Sequence, residues 1–215
     1  MTANASTLTG LLAAALAGAG TLHIAPAGGS MHGIDQHAQH RQQARHAEHA
    51  LHDVDRAVAA IGPTEGNDGV SGTIRFEKVE NGVRVTAYVE GLEPNSKHGF
   101  HVHQYGDATA ADGTSAGGHY DPSGSGHHAR PGTDDSHHAG DFGNLEANSE
   151  GVARYDRTFE SLTIAGSEAP VLGRAVIIHA QPDRFDQPTG SAGARIGIGV
   201  IGVANPELFD RPLRP

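Results

Sequence analysis

Residues 72–90 read GTIRFEKVENGVRVTAYVE, and this stretch decides the fold. Val83, Val85, Ala87 and Val89 alternate with Arg84, Thr86, Tyr88 and Glu90, so one side of the segment is apolar and the other mostly polar. Successive side chains of a strand point to opposite faces, whereas a helix repeats every 3.6 residues, so a period of two reads as a half-buried β-strand. Asn81-Gly82 just before it is a hairpin signal, because both residues tolerate the positive φ of a tight two-residue turn. Residues 72–79 are then the partner strand. Outward from this hairpin, residues 56–61 form a short apolar run stopped by Gly62-Pro63, and further strands read at 98–104, 151–159, 173–180 and 196–203. Short strands punctuated by turn residues predict an all-β antiparallel sandwich or barrel. One long insertion, residues 105–148, is rich in Gly, His, Asp and Ser. A loop of that length in a compact domain is normally functional or clamped by something.

The chain has 215 residues and a formal net charge of −10, which argues against non-specific nucleic-acid binding. An anionic substrate would need a local positive site. Sixteen histidines stand against 15 Lys plus Arg, which directs attention to metal or acid chemistry. There is no cysteine, so disulfides, thiolate zinc sites and iron–sulfur clusters are excluded. Residues 1–30 read as a leader or disordered linker. The apolar stretch 11–19 suits an export signal to the periplasm or outside the cell, although the first basic residue is Arg41; a misassigned start is the alternative. The stretch is too short to span a bilayer, so no stable membrane insertion is expected. Residues 31–54 are histidine-rich (His32, His37, His40, His46, His49, His52) and could hold extra metal ions or be a solvated tail. The domain proper is expected over 55–205, with 206–215 as a C-terminal tail.

Three histidine clusters stand out. His101 and His103 are two apart on a strand, so both rings can reach one ion. His119, the pairs His127/His128 and His137/His138, and Asp141 lie in the insertion; three imidazoles and a carboxylate form a donor set that tetrahedral zinc accepts. His179 ends the apolar run 175–178, and Arg195 precedes the last strand. Read singly, each of these also suits an ordinary surface or structural residue.

Their order and surroundings carry more. The chain resembles the copper–zinc superoxide dismutase family in residues 99–107 (GFHVHQYGD), 114–122 (TSAGGHYDP), 138–144 (HAGDFGN), 174–179 (RAVIIH) and 193–202 (GARIGIGVIG), which follow the family's order. The resemblance implies an eight-stranded Greek-key barrel and an enzyme that converts superoxide to O2 and hydrogen peroxide. It implies copper on His101, His103, His119 and His179, and zinc on His119, His128, His138 and Asp141, with His119 bridging. His128 is chosen over His127 by the family's His-x-x-Pro spacing, and His138 over His137 by distance to Asp141. Asp183 would orient one copper and one zinc histidine, and Arg195 would attract superoxide beside the copper. The segment between His179 and Arg195 is short, as in bacterial members, and a homodimer is one possible assembly. Most relatives tie the long loop to the last strand by a disulfide; here the matching positions are about Gly113 and Ile198. Loop order is therefore expected to depend more heavily on zinc. The competing reading is a metal-storage or metal-delivery protein on the same scaffold.

Overall fold

The computed structural model describes Arg41 and residues 54–133 and 137–213. The leader at 1–30 and the histidines of 31–54 lie outside the described residues. The strands are β1 (Arg56–Pro63), β2 (Ser71–Val79), β3 (Gly82–Glu90), β4 (Lys97–His103), β5 (Asp141–Glu146), β6 (Ala153–Phe159), β7 (Ala175–His179), β8 (Arg195–Val200) and the two-residue β9 (Gly202–Val203). Eight of them run in the order β5-β4-β7-β8-β1-β2-β3-β6, every pair antiparallel, and β9 pairs with β1. The outer strands β5 and β6 nearly close the path: Ala147 bridges to Ala153, and the Tyr155 hydroxyl donates to the Phe142 carbonyl at 2.8 Å. The result is a nearly closed eight-stranded barrel, which removes most of the exposed strand edge.

The hairpin pairs in the expected register, Val79 opposite Gly82 and Ser71 opposite Glu90. Ile74, Phe76, Val83, Val85, Ala87 and Val89 are buried in the barrel interior with Phe100, Phe142 and Phe159. Phe142 packs on Phe159 with ring centres 4.4 Å apart and meets Phe100 edge-on at 5.4 Å.

Strands β4 and β7 are buried on both faces, and this positions the site. Phe100 and Val102 of β4, with Val176 and Ile178 of β7, point into the barrel. The alternate residues His101, His103 and His179 point outward, yet all are buried, because the insertion folds back over that face. Gly140 and Tyr120 hold this covering against β4: Val102 N–H donates to the Gly140 carbonyl, and Tyr120 N–H to the Val102 carbonyl, both at 2.9 Å.

The insertion is shorter than the sequence suggests. Residues 141–146, read as loop, form β5 on β4, with a register shift between Gly99 and His101. Residues 206–213 include a one-turn helix, α1 (Pro206–Phe209), whose Phe209 is buried with the Arg56 guanidinium 4.8 Å and the Arg75 guanidinium 5.2 Å from its ring centre.

At the positions matched to the missing disulfide the structure uses other ties. Ala116, Ala175 and Ile177 form a small buried cluster against Ile198. Glu65 N–H donates to the Ala111 carbonyl at 2.8 Å, and the Arg195 guanidinium donates to the carbonyls of Gly113 and Gly117.

Candidate metal centre

His101, His103, His119 and His179 bring four ring nitrogens within 4.8 Å of one another, and His119, His128, His138 and Asp141 form a second such group. His101, His128 and Asp183 form a third, smaller one. All of these residues are buried.

The hydrogen bonds settle which nitrogens are bare. A carbonyl oxygen can only accept, so His103 Nδ1 donates to Gly117 O (2.9 Å) and His179 Nδ1 donates to Gly193 O (3.1 Å). Burial is the main influence pushing His103 well below its ordinary value and His179 down to about 4, so both rings are neutral near pH 7. Their Nε2 atoms therefore carry lone pairs, and these face each other at 3.4 Å. His101, pushed down to about 3 chiefly by burial, gives its Nε2 hydrogen to Asp183 Oδ2 at 3.0 Å. Its Nδ1 is buried without a partner among the described residues. Three bare nitrogens thus converge on one point. A cation with nitrogen affinity fits this arrangement; a proton shared by one pair does not satisfy it.

The second group surrounds a carboxylate. Asp141 Oδ1 lies 2.9 Å from His119 Nδ1 and 3.3 Å from His138 Nδ1, and Oδ2 lies 2.9 Å from His128 Nδ1. The last approach is out of line for a hydrogen bond, so His128 Nδ1 is buried but unsatisfied. Burial opposes charge on His128, yet Asp141 and Asp183 outweigh it and raise its pKa to about 9. Burial likewise opposes ionisation of Asp141 and Asp183, but their imidazole partners hold both well below the usual carboxylate range. Two buried carboxylates here call for positive charge, and a proton on His128 or a metal ion supplies it. Three Nδ1 atoms and a carboxylate oxygen are a zinc donor set, and binding would displace that proton. The residues present therefore fit both metals.

Asp183 sits between the groups, with Oδ2 toward His101 Nε2 at 3.0 Å and Oδ1 toward His128 Nε2 at 2.9 Å. Arg195 lies opposite His179 in the β7–β8 pairing. The Gly117 carbonyl takes hydrogen bonds from both Arg195 Nη2 (2.5 Å) and His103 Nδ1, so the guanidinium stands beside the first group.

The family model described as copper/zinc superoxide dismutase matches residues 70–201. The chain belongs to that family. It is 40% identical over 161 residues to a protein named Superoxide dismutase (Cu-Zn) from Paramecium bursaria Chlorella virus 1, covering 70% of this chain and 81% of that one. Among solved structures it is similar to the clock protein EA4, at 34% identity and a TM-score of 0.61 over 70% of this chain and 95% of the other. A double mutant of a superoxide-dismutase-like protein from Bacillus subtilis gives 30% identity and a TM-score of 0.58, covering 66% of this chain and 94% of that one.

Several residues that support the site in this dismutase-family chain escaped the sequence reading. His98 Nδ1 donates to the carbonyl of His179 at 2.8 Å and fixes the backbone of that histidine. Asn144 accepts from Asp183 N–H (2.7 Å) and donates to Asp183 O (3.0 Å), so one carboxamide holds the aspartate's backbone. Gly190, at φ +75°, packs where a Cβ would stand 1.9 Å from Asp183 Oδ1 and 2.6 Å from His128 Nε2, so only glycine leaves that bond intact. His127 and His137 are not members of the metal-capable groups. Asn144 lies inside the matched 138–144 motif; Gly190 carried only a turn signal.

The shifted groups give the metal-free chain a defined pH profile. His101 and His179 have folded pKa values below the ordinary 6.5, so the stability they confer is complete above pH 6.5 and is lost as pH falls toward 4 and 3. His128 has a raised value, so its contribution is complete below pH 6.5 and is lost as pH rises through about 9. Each unit of difference corresponds to roughly 1.4 kcal/mol. The urea midpoint of the metal-free protein is expected to peak near pH 6.5 and fall on both sides; a flat profile between pH 4 and 9 would contradict these environments.

Proposed function

We propose that the chain disproportionates superoxide with copper at the first histidine group and zinc at the second, His119 being shared between them. The arrangement of bare nitrogens supports this reading above all. His119 turns Nδ1 toward Asp141 and stands with its ring centre 4.2 Å from that of His101 and 5.1 Å from that of His103. In this reading copper is held by His101 Nδ1 and by Nε2 of His103, His119 and His179. Zinc is held by Nδ1 of His119, His128 and His138 and by Asp141. Imidazole serves both copper oxidation states, which suits a redox site.

Copper, when bound, supplies the one-electron acceptor and donor: one superoxide leaves as O2, and a second, with two protons, leaves as hydrogen peroxide. The protein's own groups do the rest. His119 would carry a proton on Nε2 only in the half of the cycle in which that nitrogen does not hold the metal, and would give it up in the other half. Asp141 keeps the His119 ring aligned for this through Nδ1, and Asp183 fixes His101 and His128 together. Arg195 supplies fixed positive charge beside His103 and His179, which a chain of net charge −10 needs to draw in a small anion.

Reconstituted with copper and zinc, the protein is expected to bind one of each per chain and to accelerate superoxide decay. Arg195→Ala should slow this decay and weaken its dependence on salt, while His119→Ala should abolish it. A fully loaded protein without activity would remove the proposal, and an Arg195→Ala variant with unchanged rate and salt dependence would remove the steering role.

With no disulfide, zinc at His128, His138 and Asp141 also ties the insertion to β5. Chelation is expected to raise amide exchange across residues 105–140 while leaving β2 and β3 protected. Unchanged exchange in the insertion would contradict this clamping.

A further inference from the structure

His127 and His128 are adjacent, and a slip of one residue would exchange the two rings at the second metal group. The structure shows a device that fixes the register. Gln187, in the short segment between His179 and Arg195, lays its carboxamide along the backbone of His128. Its Oε1 accepts from His128 N–H at 3.0 Å and its Nε2 donates to His128 O at 2.7 Å. The same Nε2 lies 3.2 Å from His127 Nδ1. A backbone N–H only donates and a carbonyl only accepts, so the amide has one orientation. Asn144 holds Asp183 in the same two-point manner, so the two partners that meet through Asp183 Oδ1 and His128 Nε2 each carry a carboxamide on their backbone.

We propose that Gln187 is a positioning residue for the metal centre: its two-point clamp on the His128 backbone makes His128, and not His127, the histidine offered to zinc. This rests on the metal assignment proposed above and deepens it. The argument is one of degrees of freedom. Asp183 and Asp141 grip the ring of His128. The flanking backbone is tied where the His127 carbonyl accepts from His138 N–H at 2.9 Å and Ala129 N–H donates to Asp141 Oδ2 at 3.3 Å, but neither tie holds the N–H and carbonyl of His128 itself. Gln187 removes that freedom by saturating both backbone groups of one residue. It does so from the segment that also carries Asp183, so ring and backbone of His128 are referenced to the same frame. Residues that orient metal ligands without touching the metal commonly change metal affinity by about 10–100-fold when removed.

Cobalt(II) at the zinc position of the full chain, with copper in its own site, gives a visible spectrum that reports the donor set. Gln187→Ala and the near-isosteric Gln187→Glu, which turns an oxygen toward the His128 carbonyl, are expected to weaken cobalt and zinc retention against a chelator by about 10–100-fold. The cobalt spectrum should change with it. Removing the competing ring separates register from mere packing. In the unsubstituted background His127→Ala should leave the spectrum unchanged, whereas in Gln187→Ala the added His127→Ala should shift it again. Metal retention and spectrum in both Gln187 variants matching the parent would overturn the inference while leaving the metal centre standing. A parent protein whose cobalt spectrum ignores His128→Ala would overturn the metal assignment and the inference with it.

Discussion

The structure depends on burying two carboxylates, Asp141 and Asp183, in a shell of imidazoles. An ionised carboxylate taken out of water is strongly unfavourable unless positive charge and donors surround it. Here each carboxylate faces more than one histidine, Asp141 three of them and Asp183 two. Asp183, by taking Nε2 of His101 and His128, leaves Nδ1 of both rings turned inward without a hydrogen bond, and Asp141 aligns His119 through Nδ1. Satisfying the aspartates and presenting nitrogen donors are one arrangement, and the raised pKa of His128 between Asp141 and Asp183 follows from the same contacts.

The barrel makes this arrangement affordable in geometric terms. Strands β4 and β7 give their inner faces to the aromatic core and their outer faces to His101, His103 and His179. Those histidines are rigid because the strands beneath them are paired on both sides. The insertion then needs holding only at its contacts with that face. In place of a disulfide the chain uses the Arg195 hydrogen bonds to Gly113 and Gly117, the Ala116–Ile177–Ile198 packing, and the carboxamide of Gln187 on His128. Each of these is weaker than a covalent link, and a hydrogen bond contributes about 1 kcal/mol net. Under the proposed assignment, zinc would therefore carry a larger share of loop order than it would beside a disulfide.

The sequence was legible where alternation was clean. The hairpin at 71–90 and the outward pair His101/His103 follow from period two. Strand β5 was not legible, because Gly143 at φ +83° breaks the alternation between Phe142 and Leu145, so its six residues read as loop. The expected last strand is interrupted at Ile201, whose N–H donates to the Arg174 carbonyl before the chain joins β1. Local spacing named the histidine clusters, and the family's His-x-x-Pro spacing chose His128 over His127, but the contacts that hold His128 come from Gln187 and Asp183, about sixty and fifty-five residues away in sequence. Those partners were not legible from the neighbouring residues.

Anomalous diffraction from crystals of the reconstituted protein, collected on either side of the copper and zinc edges, tests this account most directly. The account predicts copper among His101, His103, His119 and His179, zinc among His119, His128, His138 and Asp141, and the His119 ring between the two peaks. A zinc peak at His127 or His137, or a single metal with His119 facing only one ion, would contradict it.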